Sequence, residues 1–373
     1  MSVRAAVTIG TALLVLATGT ARAQVRTTAR AQAVYESYRF DPGLPFERVS
    51  EFAVPVGVDV SVGRRLDITL STGYVSLDLD LGAASTSVSG MLDTEARIGL
   101  NLVPGRLIAV FTGAVPTGTK VDSAQAMVLA PIASDVIGFA IPTLGAGGSL
   151  GGGLVAAVPV GRFAIGIGAT YAYPFSYQPF RDVPAELVPG AELRTRLGVE
   201  GPLARTTYMR FAGVFAVRAK DEFGGQTQPG VGQRYVGYAE VVQGLGRMQL
   251  TVYAFDVYRG RPSFEGTAGG AAVLPKGNLI AAGFRHAIPV TRSFSVAPRA
   301  EWRMSTAAAD AASGSLRKAG SSLRIGLDAR QTFSPGLTLA LFGSGLFGDI
   351  RPTGGADIPL SGWRAGLMFN VAR

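Results

Sequence analysis

The chain has 373 residues, of which 47% are hydrophobic and 16% charged, and it contains no cysteine. This composition excludes a disordered chain and a disulfide-stapled extracellular module. The formal net charge of +9 comes mostly from arginines that are spaced singly along the chain. Because a nucleic-acid-binding protein concentrates its cations in patches or stripes, we expect no nucleic-acid partner.

The first 23 residues have the pattern of a secretory signal peptide. Arg4 is followed by an apolar run, 5–17, and then by the A-x-A sequence Ala21-Arg22-Ala23. This order predicts cleavage after Ala23, and the apolar run is shorter than the ~20 residues of a membrane anchor. We therefore expect residues 1–23 to be removed and residues 24–373 to form a single exported domain.

Beyond this segment, apolar and polar residues alternate in sixteen stretches, which is the pattern of half-buried β-strands. Each stretch is close to the ~9–11 residues that a tilted strand needs to cross a bilayer. In chain order the predicted strands are 30–40, 52–62, 66–77, 89–103, 106–116, 149–160, 163–174, 191–200, 206–218, 232–243, 247–258, 277–288, 292–305, 321–332, 337–347 and 362–372.

The connections between these strands alternate strictly between short and long. The short ones are 63–65, 104–105, 161–162, 201–205, 244–246, 289–291 and 334–336. The long ones are 41–51, 78–88, 117–148, 175–190, 219–231, 259–276, 306–320 and 348–361. A Greek-key sandwich has no reason to alternate in this way, whereas a membrane barrel has tight periplasmic turns and long external loops. The pattern predicts an all-β fold, a transmembrane antiparallel up-and-down β-barrel of about 16 strands (range 12–16).

The alternation also predicts which side chains face the lumen of such a barrel. In 292–305, every second residue from Phe294 to Met304 is apolar, and these residues form one face of the strand. Arg299, Glu301 and Arg303 lie on the other, polar face. Applied to every strand, the same rule gives inward acidic residues early in the chain and inward arginines later on. The predicted pore-lining residues are Asp59, Asp67, Asp93, Glu95, Arg194, Arg196, Arg210, Arg285, Arg299, Glu301, Arg303, Arg324, Asp328, Arg330 and Arg364. Opposed charged walls would screen solutes by charge; ion pairs that close the lumen are the alternative.

With its signal peptide, its amphipathic strands and a closing C-terminal strand at 362–372, the sequence resembles Gram-negative outer-membrane β-barrel channels of the general porin type. The resemblance is architectural and covers nearly all of 24–373. It implies a bacterial outer-membrane location, contacts with the lipid bilayer and with lipopolysaccharide, and folding by the barrel-insertion machinery. A homo-oligomer is compatible with the resemblance. The chain departs from this family at its C-terminus, which ends on Arg373 rather than on an aromatic residue.

The connection 117–148 is the longest and is too apolar for bulk water. In general porins the third external loop folds inward, so the resemblance implies a constriction here that includes Met127, Leu129, Ile132 and Phe139. We therefore expect a channel for small hydrophilic solutes that favours anions. Alternatives are a channel for hydrophobic compounds of the fatty-acid and hydrocarbon uptake type, whose Asn-Pro-Ala-like plug motif is missing from 24–30, and a structural or adhesive barrel.

No residue pattern indicates catalysis. His286 is the only histidine, and its position in the alternation predicts a lipid-facing or interfacial side chain. Asp78 and Asp80 could offer oxygens to Ca²⁺, but a solvated loop edge explains them better. The glycines of 145–153 are not followed by Lys-Ser/Thr, so they do not form a phosphate-binding loop. We expect no enzymatic activity, no cofactor and no metal.

Overall fold

The computed structural model describes residues 25–125, 134–141, 143–264, 275–308, 315–352 and 355–373. These residues form β-strands joined by turns and loops, with one 3-10 turn at Ser123–Gln125. The strands are β1 (Val25–Phe40), β2 (Arg48–Val62), β3 (Leu66–Asp80), β4 (Ser85–Met91), β5 (Thr94–Val103), β6 (Leu107–Val115), β7 (Ser149–Val160), β8 (Phe163–Pro174), β9 (Leu187–Val188), β10 (Glu192–Ala204), β11 (Thr207–Arg218), β12 (Glu222–Phe223), β13 (Gln226–Thr227), β14 (Arg234–Leu245), β15 (Met248–Arg259), β16 (Gly277–Pro289), β17 (Phe294–Ala308), β18 (Leu316–Ser334), β19 (Leu337–Ile350) and β20 (Ile358–Ala372).

The main sheet closes on itself. Each long strand pairs antiparallel with its neighbours in the chain, and β1 pairs with both β2 and β20. β4 and β5 pair with different ends of β3 and together make one stave, so the barrel has sixteen staves. The short strands β9, β12 and β13 form a separate three-stranded sheet. Closure leaves no stave with a free edge, and it confirms the predicted up-and-down barrel of sixteen strands.

The short turns lie close to their predicted positions, although the connection predicted at 201–205 is only 205–206 because β10 continues to Ala204. Glycine makes the tight reversals possible. Gly161 and Gly246, each in a short turn, have φ of 59° and 65°, a left-handed conformation that glycine adopts without steric cost.

Several long connections are shorter than predicted. The connections predicted at 41–51, 306–320 and 348–361 are 41–47, 309–315 and 351–357, because the flanking strands are longer. Residues 78–80 continue β3 and β4 begins at Ser85, so the connection predicted at 78–88 is only 81–84, and Asp78 and Asp80 belong to a strand rather than to a loop edge.

The outer face of the barrel wall is apolar over most of its height. Exposed side chains on this face include Leu154, Ile167, Leu197, Ile325 and Leu341, between 52% and 63% exposed. Aromatic side chains gather near the strand ends, with Tyr171, Tyr173 and Phe175 at the end of β8 next to a long loop. This distribution is typical of a wall that faces lipid between two interfacial girdles. No helix in the described part of the chain is both long and apolar enough to cross a membrane.

At the end of the barrel that carries the long loops, the distribution of apolar residues on several strands is reversed. Leu77 and Leu79 on β3, Tyr38 on β1 and Leu360 on β20 are at most 4% exposed and point inward, where they form a hydrophobic cluster with Ile137 and Phe139 of the connection 117–148. Polar residues take the outer face there, including Asp78 and Asp80. A segment inside the barrel therefore supplies the apolar contacts that lipid supplies elsewhere.

Candidate functional site

The inner wall carries the charged residues that the alternation assigned to it. On β18, Arg324, Asp328 and Arg330 occupy the face opposite to exposed Leu323, Ile325 and Leu327. The other predicted residues lie on the inner face of their own strands. Asp93 lies between β4 and β5, and its carboxylate accepts hydrogen bonds from the connection 117–148. These positions describe the wall, and the role of the residues in permeation remains a prediction.

Residues 134–141, which we call the docked segment, lie against this inner wall. Four consecutive carbonyl oxygens of the segment accept hydrogen bonds from side chains of three strands. Arg303 Nη1 of β17 donates to Asp135 O at 3.1 Å, and Ser322 Oγ of β18 donates to Val136 O at 2.7 Å.

The next two carbonyls accept from guanidinium groups. Arg324 Nη2 of β18 donates to Ile137 O at 2.6 Å, and Arg364 Nη2 of β20 donates to Gly138 O at 2.6 Å. Hydrogen bonds from charged donors are stronger than those between neutral groups. The wall therefore holds the backbone of the docked segment with three arginines and one serine.

Two buried carboxylates hold the other end of the segment. Ala140 N donates to Glu36 Oε1 of β1 at 2.7 Å, and Ile141 N donates to Glu51 Oε1 of β2 at 2.9 Å. Glu36 and Glu51 are directly opposite each other in the β1–β2 ladder and are at most 1% exposed. Arg364 binds Glu36 Oε2 at 2.6 Å and Tyr38 OH also donates to it at 2.6 Å, whereas Glu51 Oε2 has no hydrogen-bond partner among the described residues.

Apolar packing and one glycine complete the docking. The ring of Phe139 packs edge-on against that of Tyr38 with 5.1 Å between centroids, and Val136, Ile137 and Phe139 are at most 6% exposed. Gly138 has φ of 63°, and a Cβ at this position would overlap the guanidinium of Arg303. The tight turn that presents the four carbonyls therefore requires glycine at position 138.

The flanks of the connection 117–148 are also attached. Asp93 accepts from Gly118 N at 2.8 Å and from Ala146 N at 2.7 Å, so one carboxylate joins both flanks. Ser123 donates to Asp182 through its backbone amide and its hydroxyl, and these hydrogen bonds hold the pKa of the exposed Asp182 carboxyl below its ordinary value. The connection is therefore fastened to the wall and to the following external loop. The predicted constriction residues Met127, Leu129 and Ile132 lie outside the described residues.

The wall opposite the docked segment is rich in arginine. β10 lies eight staves from β20 around the barrel, and its Arg194 and Arg196 line a cavity of about 520 Å³ together with Arg97 of β5 and Arg234 of β14. Arg194 is paired with Glu192 at 2.5 Å. Arg97, Arg196 and Arg234 have no carboxylate within 4.0 Å in the described ranges. Three unpaired cations thus share one cavity of the inner wall.

Other inward arginines have carboxylate partners. Asp328 binds both Arg285 at 3.1 Å and Arg299 at 3.2 Å, and Arg210 binds Glu200 at 2.9 Å. Arg30 binds Asp59 at 2.6 Å. The predicted opposition of an acidic early wall and a basic late wall is therefore too simple, because many of these charges are compensated by neighbours on adjacent strands.

Sequence reasoning did not single out several residues at this site, among them Gly138 and Ser322. Glu36, Tyr38 and Glu51 lie in the first two strands, and Arg97 and Arg234 lie on β5 and β14, whose polar faces include them. For Arg97, the available signal was its position among the inward-facing residues of the alternation. For Glu36 and Glu51, the signal was a charged residue with apolar neighbours on the same inner face. This pattern indicates that a segment of the chain packs against that face from inside the barrel.

Among the residues that the structure describes, no group of three or more His, Asp or Glu side chains could hold a metal ion. His286 lies on the outer face of β16, as Phe284 does, and it is opposite Leu250 of β15. This is the facing that its position in the alternation predicted.

The barrel can be compared with known proteins. No family model and no curated protein sequence matches this chain. Among solved structures, it is similar to the outer-membrane protein opdK from Pseudomonas aeruginosa, with 11% identity, a TM-score of 0.46, and 94% of this chain and 99% of that chain covered. It is also similar to a loop-deletion mutant of OmpT from Vibrio cholerae, with 9% identity, a TM-score of 0.45 and coverage of 93% and 99%. The predicted barrel architecture is confirmed by the closed antiparallel sheet of sixteen staves and its apolar outer wall.

Proposed function

We propose that this protein is an outer-membrane channel for the passive diffusion of small hydrophilic solutes, that it favours anions, and that the docked segment narrows its lumen. The observation that carries the proposal is the arrangement of the inner wall. The docked segment is fixed to β1, β2, β17, β18 and β20, and three arginines without carboxylate partners share a cavity on the far side. A solute that passes between them meets the docked segment on one side and positive charge on the other.

The charge balance of the inner wall supports anion preference. Where an inward arginine has a carboxylate beside it, the pair contributes little net field. Arg97, Arg196 and Arg234 have none in the described ranges, so their field extends into the lumen. A low-dielectric wall focuses such a field and enriches counter-ions. The expected substrates are therefore small inorganic or organic anions, with neutral hydrophilic solutes also admitted.

A channel for hydrophobic compounds is less well supported. Such a channel needs apolar side chains that line an open path, whereas Val136, Ile137 and Phe139 are almost completely buried against the wall. An enzyme is also less well supported, because catalysis needs a nucleophile with a positioned base, and the single histidine lies on the outer face. Cleavage of residues 1–23, lipopolysaccharide contacts, assembly by the insertion machinery and a homo-oligomer remain parts of the proposal.

Single-channel recording in planar bilayers tests the proposal. We expect steady ohmic steps, and in a salt gradient a reversal potential of the sign for anions. Deletion of 124–140 should raise the conductance, because the docked segment would no longer occupy part of the cross-section. Silent bilayers with correctly folded protein would overturn the channel, and unchanged conductance after the deletion would overturn the constriction.

A further inference from the structure

Two arginines face each other on the outer surface, at the end of the barrel that carries the long loops. Arg39 of β1 is directly opposite Arg48 of β2 in the ladder. Their neighbours Tyr38, Phe40 and Val49 are buried on the inner face, so the two arginines share the outer face. Arg39 is exposed and Arg48 is partly buried. Like charges that are directly opposite in a sheet destabilise it.

This arginine pair lacks an anion. Neither guanidinium has a carboxylate within 4.0 Å in the described part of the chain, and Arg48 Nε is shielded from solvent without a hydrogen-bond partner. Asp80 of β3 is opposite Arg48 in the next ladder, but its Oδ1 accepts from Gly82 N at 3.0 Å. A buried guanidinium donor without an acceptor is costly. An acceptor that comes from outside the chain would remove this cost.

The surface around the pair has room for such a group. Two adjoining hollows of about 480 and 360 Å³ share Arg39, Arg48 and Ser361. The first hollow also includes Tyr35 and Trp363, which are 40% and 49% exposed and have ring centroids 5.3 Å apart. The first hollow therefore combines two arginines with an aromatic shelf and has no carboxylate among its described lining residues. The second hollow also contains Asp41, Glu47 and Asp80, so the anion site is the first hollow.

The position along the strand matches the membrane surface. β1 begins at Val25, so Arg39 is its fifteenth residue, whereas ~9–11 residues suffice to cross the hydrocarbon layer. Tyr35 and Trp363 lie nearer the middle of the barrel than Arg39 and Ser361. Aromatic residues prefer the boundary between acyl chains and headgroups, which puts the arginines at the level of the headgroups.

We infer that Arg39 and Arg48 form a binding site for the phosphate of an outer-leaflet lipid, whose acyl chains lie along Tyr35 and Trp363. This inference rests on the proposed outer-membrane location. Two opposed guanidinium groups present several donors to the oxygens of one phosphate, which arginine binds in a bidentate manner. Asp80, opposite Arg48 on β3, lines the second hollow and not the first.

Tryptophan fluorescence can report on this site. The chain has two tryptophans, Trp302 and Trp363. In a Trp302→Phe background, Trp363 is the only reporter, and the full-length folded protein in detergent micelles is titrated with diphosphorylated lipid A. We expect a saturable change in emission, and we expect Arg39→Gln/Arg48→Gln to weaken the affinity roughly tenfold or more, since hydrogen bonds to charged groups are lost. The matched control is Arg64→Gln/Arg65→Gln, which removes the same charge from the turn at the other end of the barrel.

Three results would overturn the site: equal affinity of the Arg39→Gln/Arg48→Gln variant, an equal loss in the control variant, or equal affinity for dephosphorylated lipid A. If inorganic phosphate produced the same emission change at the same concentration, the assignment to a lipid would be wrong. The single-channel conductance of the Arg39→Gln/Arg48→Gln variant should stay unchanged, because both residues are on the outer face. Failure of the lipid site is therefore distinguishable from failure of the channel.

Discussion

Arg364 of β20 and Glu36 of β1 form an ion pair of 2.6 Å across the seam where the last strand meets the first. The same guanidinium donates to Gly138 O of the docked segment, and the same carboxylate accepts from Ala140 N. This one pair of residues thus contributes both to barrel closure and to the docking of the segment. Because Glu36 is fully buried, the loss of its partner would leave a buried charge without compensation.

The first prediction concerns this pair. Arg364→Met should destabilise the barrel by about 3–5 kcal/mol and make the single-channel current noisier and larger, because the docked segment loses one anchor. The double variant Glu36→Gln/Arg364→Met should recover much of the stability, since neither member of the pair is then left as a buried charge without its partner. Thermal unfolding in detergent gives the stabilities and bilayer recording gives the current. Equal stability of the single and double variants would show that the pair does not act as a unit.

The second prediction concerns selectivity. Arg97→Gln/Arg196→Gln/Arg234→Gln should shift the reversal potential in a salt gradient toward cations. The shift should be larger at low salt, because the Debye length grows from ~10 Å at 0.1 M to ~30 Å at 0.01 M. The control is Glu200→Gln/Arg210→Gln, which removes an ion pair of zero net charge from the same inner face. An identical shift in the control would mean that unpaired arginines have no special role.

The third prediction concerns the turn in the docked segment. Gly138→Ala should cost about 1–2 kcal/mol from the left-handed backbone alone, and more because the new Cβ would meet Arg303. We expect Phe139 to become accessible, and a higher conductance. Gly213→Ala is the control, because no atom lies within 4 Å of its Cβ and its φ is not positive. Limited proteolysis of 134–141 reports the exposure; equal protection in both variants would argue against the requirement for glycine.

The fourth prediction concerns the facing of β18. Ile325→Arg puts a charge on the lipid side, which costs about 2–4 kcal/mol near the midplane, whereas Arg330→Ile changes an inner side chain that does not touch the docked segment. The wild type should migrate faster unboiled than boiled on a gel, as a folded barrel does. Only Ile325→Arg should lose this heat-modifiable band. Equal loss in both variants would reverse the facing assignment.

The fifth prediction concerns pH and the external loops. The Ser123 hydrogen bonds hold the pKa of Asp182 below its ordinary value of 3.8. Stabilisation from a lowered carboxyl pKa is fully present above the unfolded value and is lost as the pH falls through the folded value. The contact should therefore persist at neutral pH and open only below about pH 3.8. Titration of the labelled Asp182 carboxyl by NMR measures its pKa, and Ser123→Ala should return that pKa toward 3.8; no change would exclude this cause.

Several features of the barrel could be predicted from the sequence because they are local. Alternation with a period of 2 determined the facing of strands such as β18, and breakers such as Gly161 and Gly246 determined the turns. The largest errors occurred near the long loops. The connection predicted at 78–88 shrank to 81–84 because β3 continues while Leu77 and Leu79 pack inward. The alternation assigns apolar residues to the lipid-facing side. An apolar residue that faces inward can be predicted only if a segment is known to fill the lumen.

The sequence by itself determined a barrel of about sixteen strands with arginine on its inner face. Only the tertiary structure decided that 134–141 docks on the wall, which residues hold it, and which arginines remain unpaired. The physical reason is the sequence separation of the contacts. Ile141 and Glu51 are 90 residues apart, and Gly138 and Arg364 are 226 apart. No local periodicity specifies such pairs, because they exist only after the barrel has closed and brought distant strands to one surface.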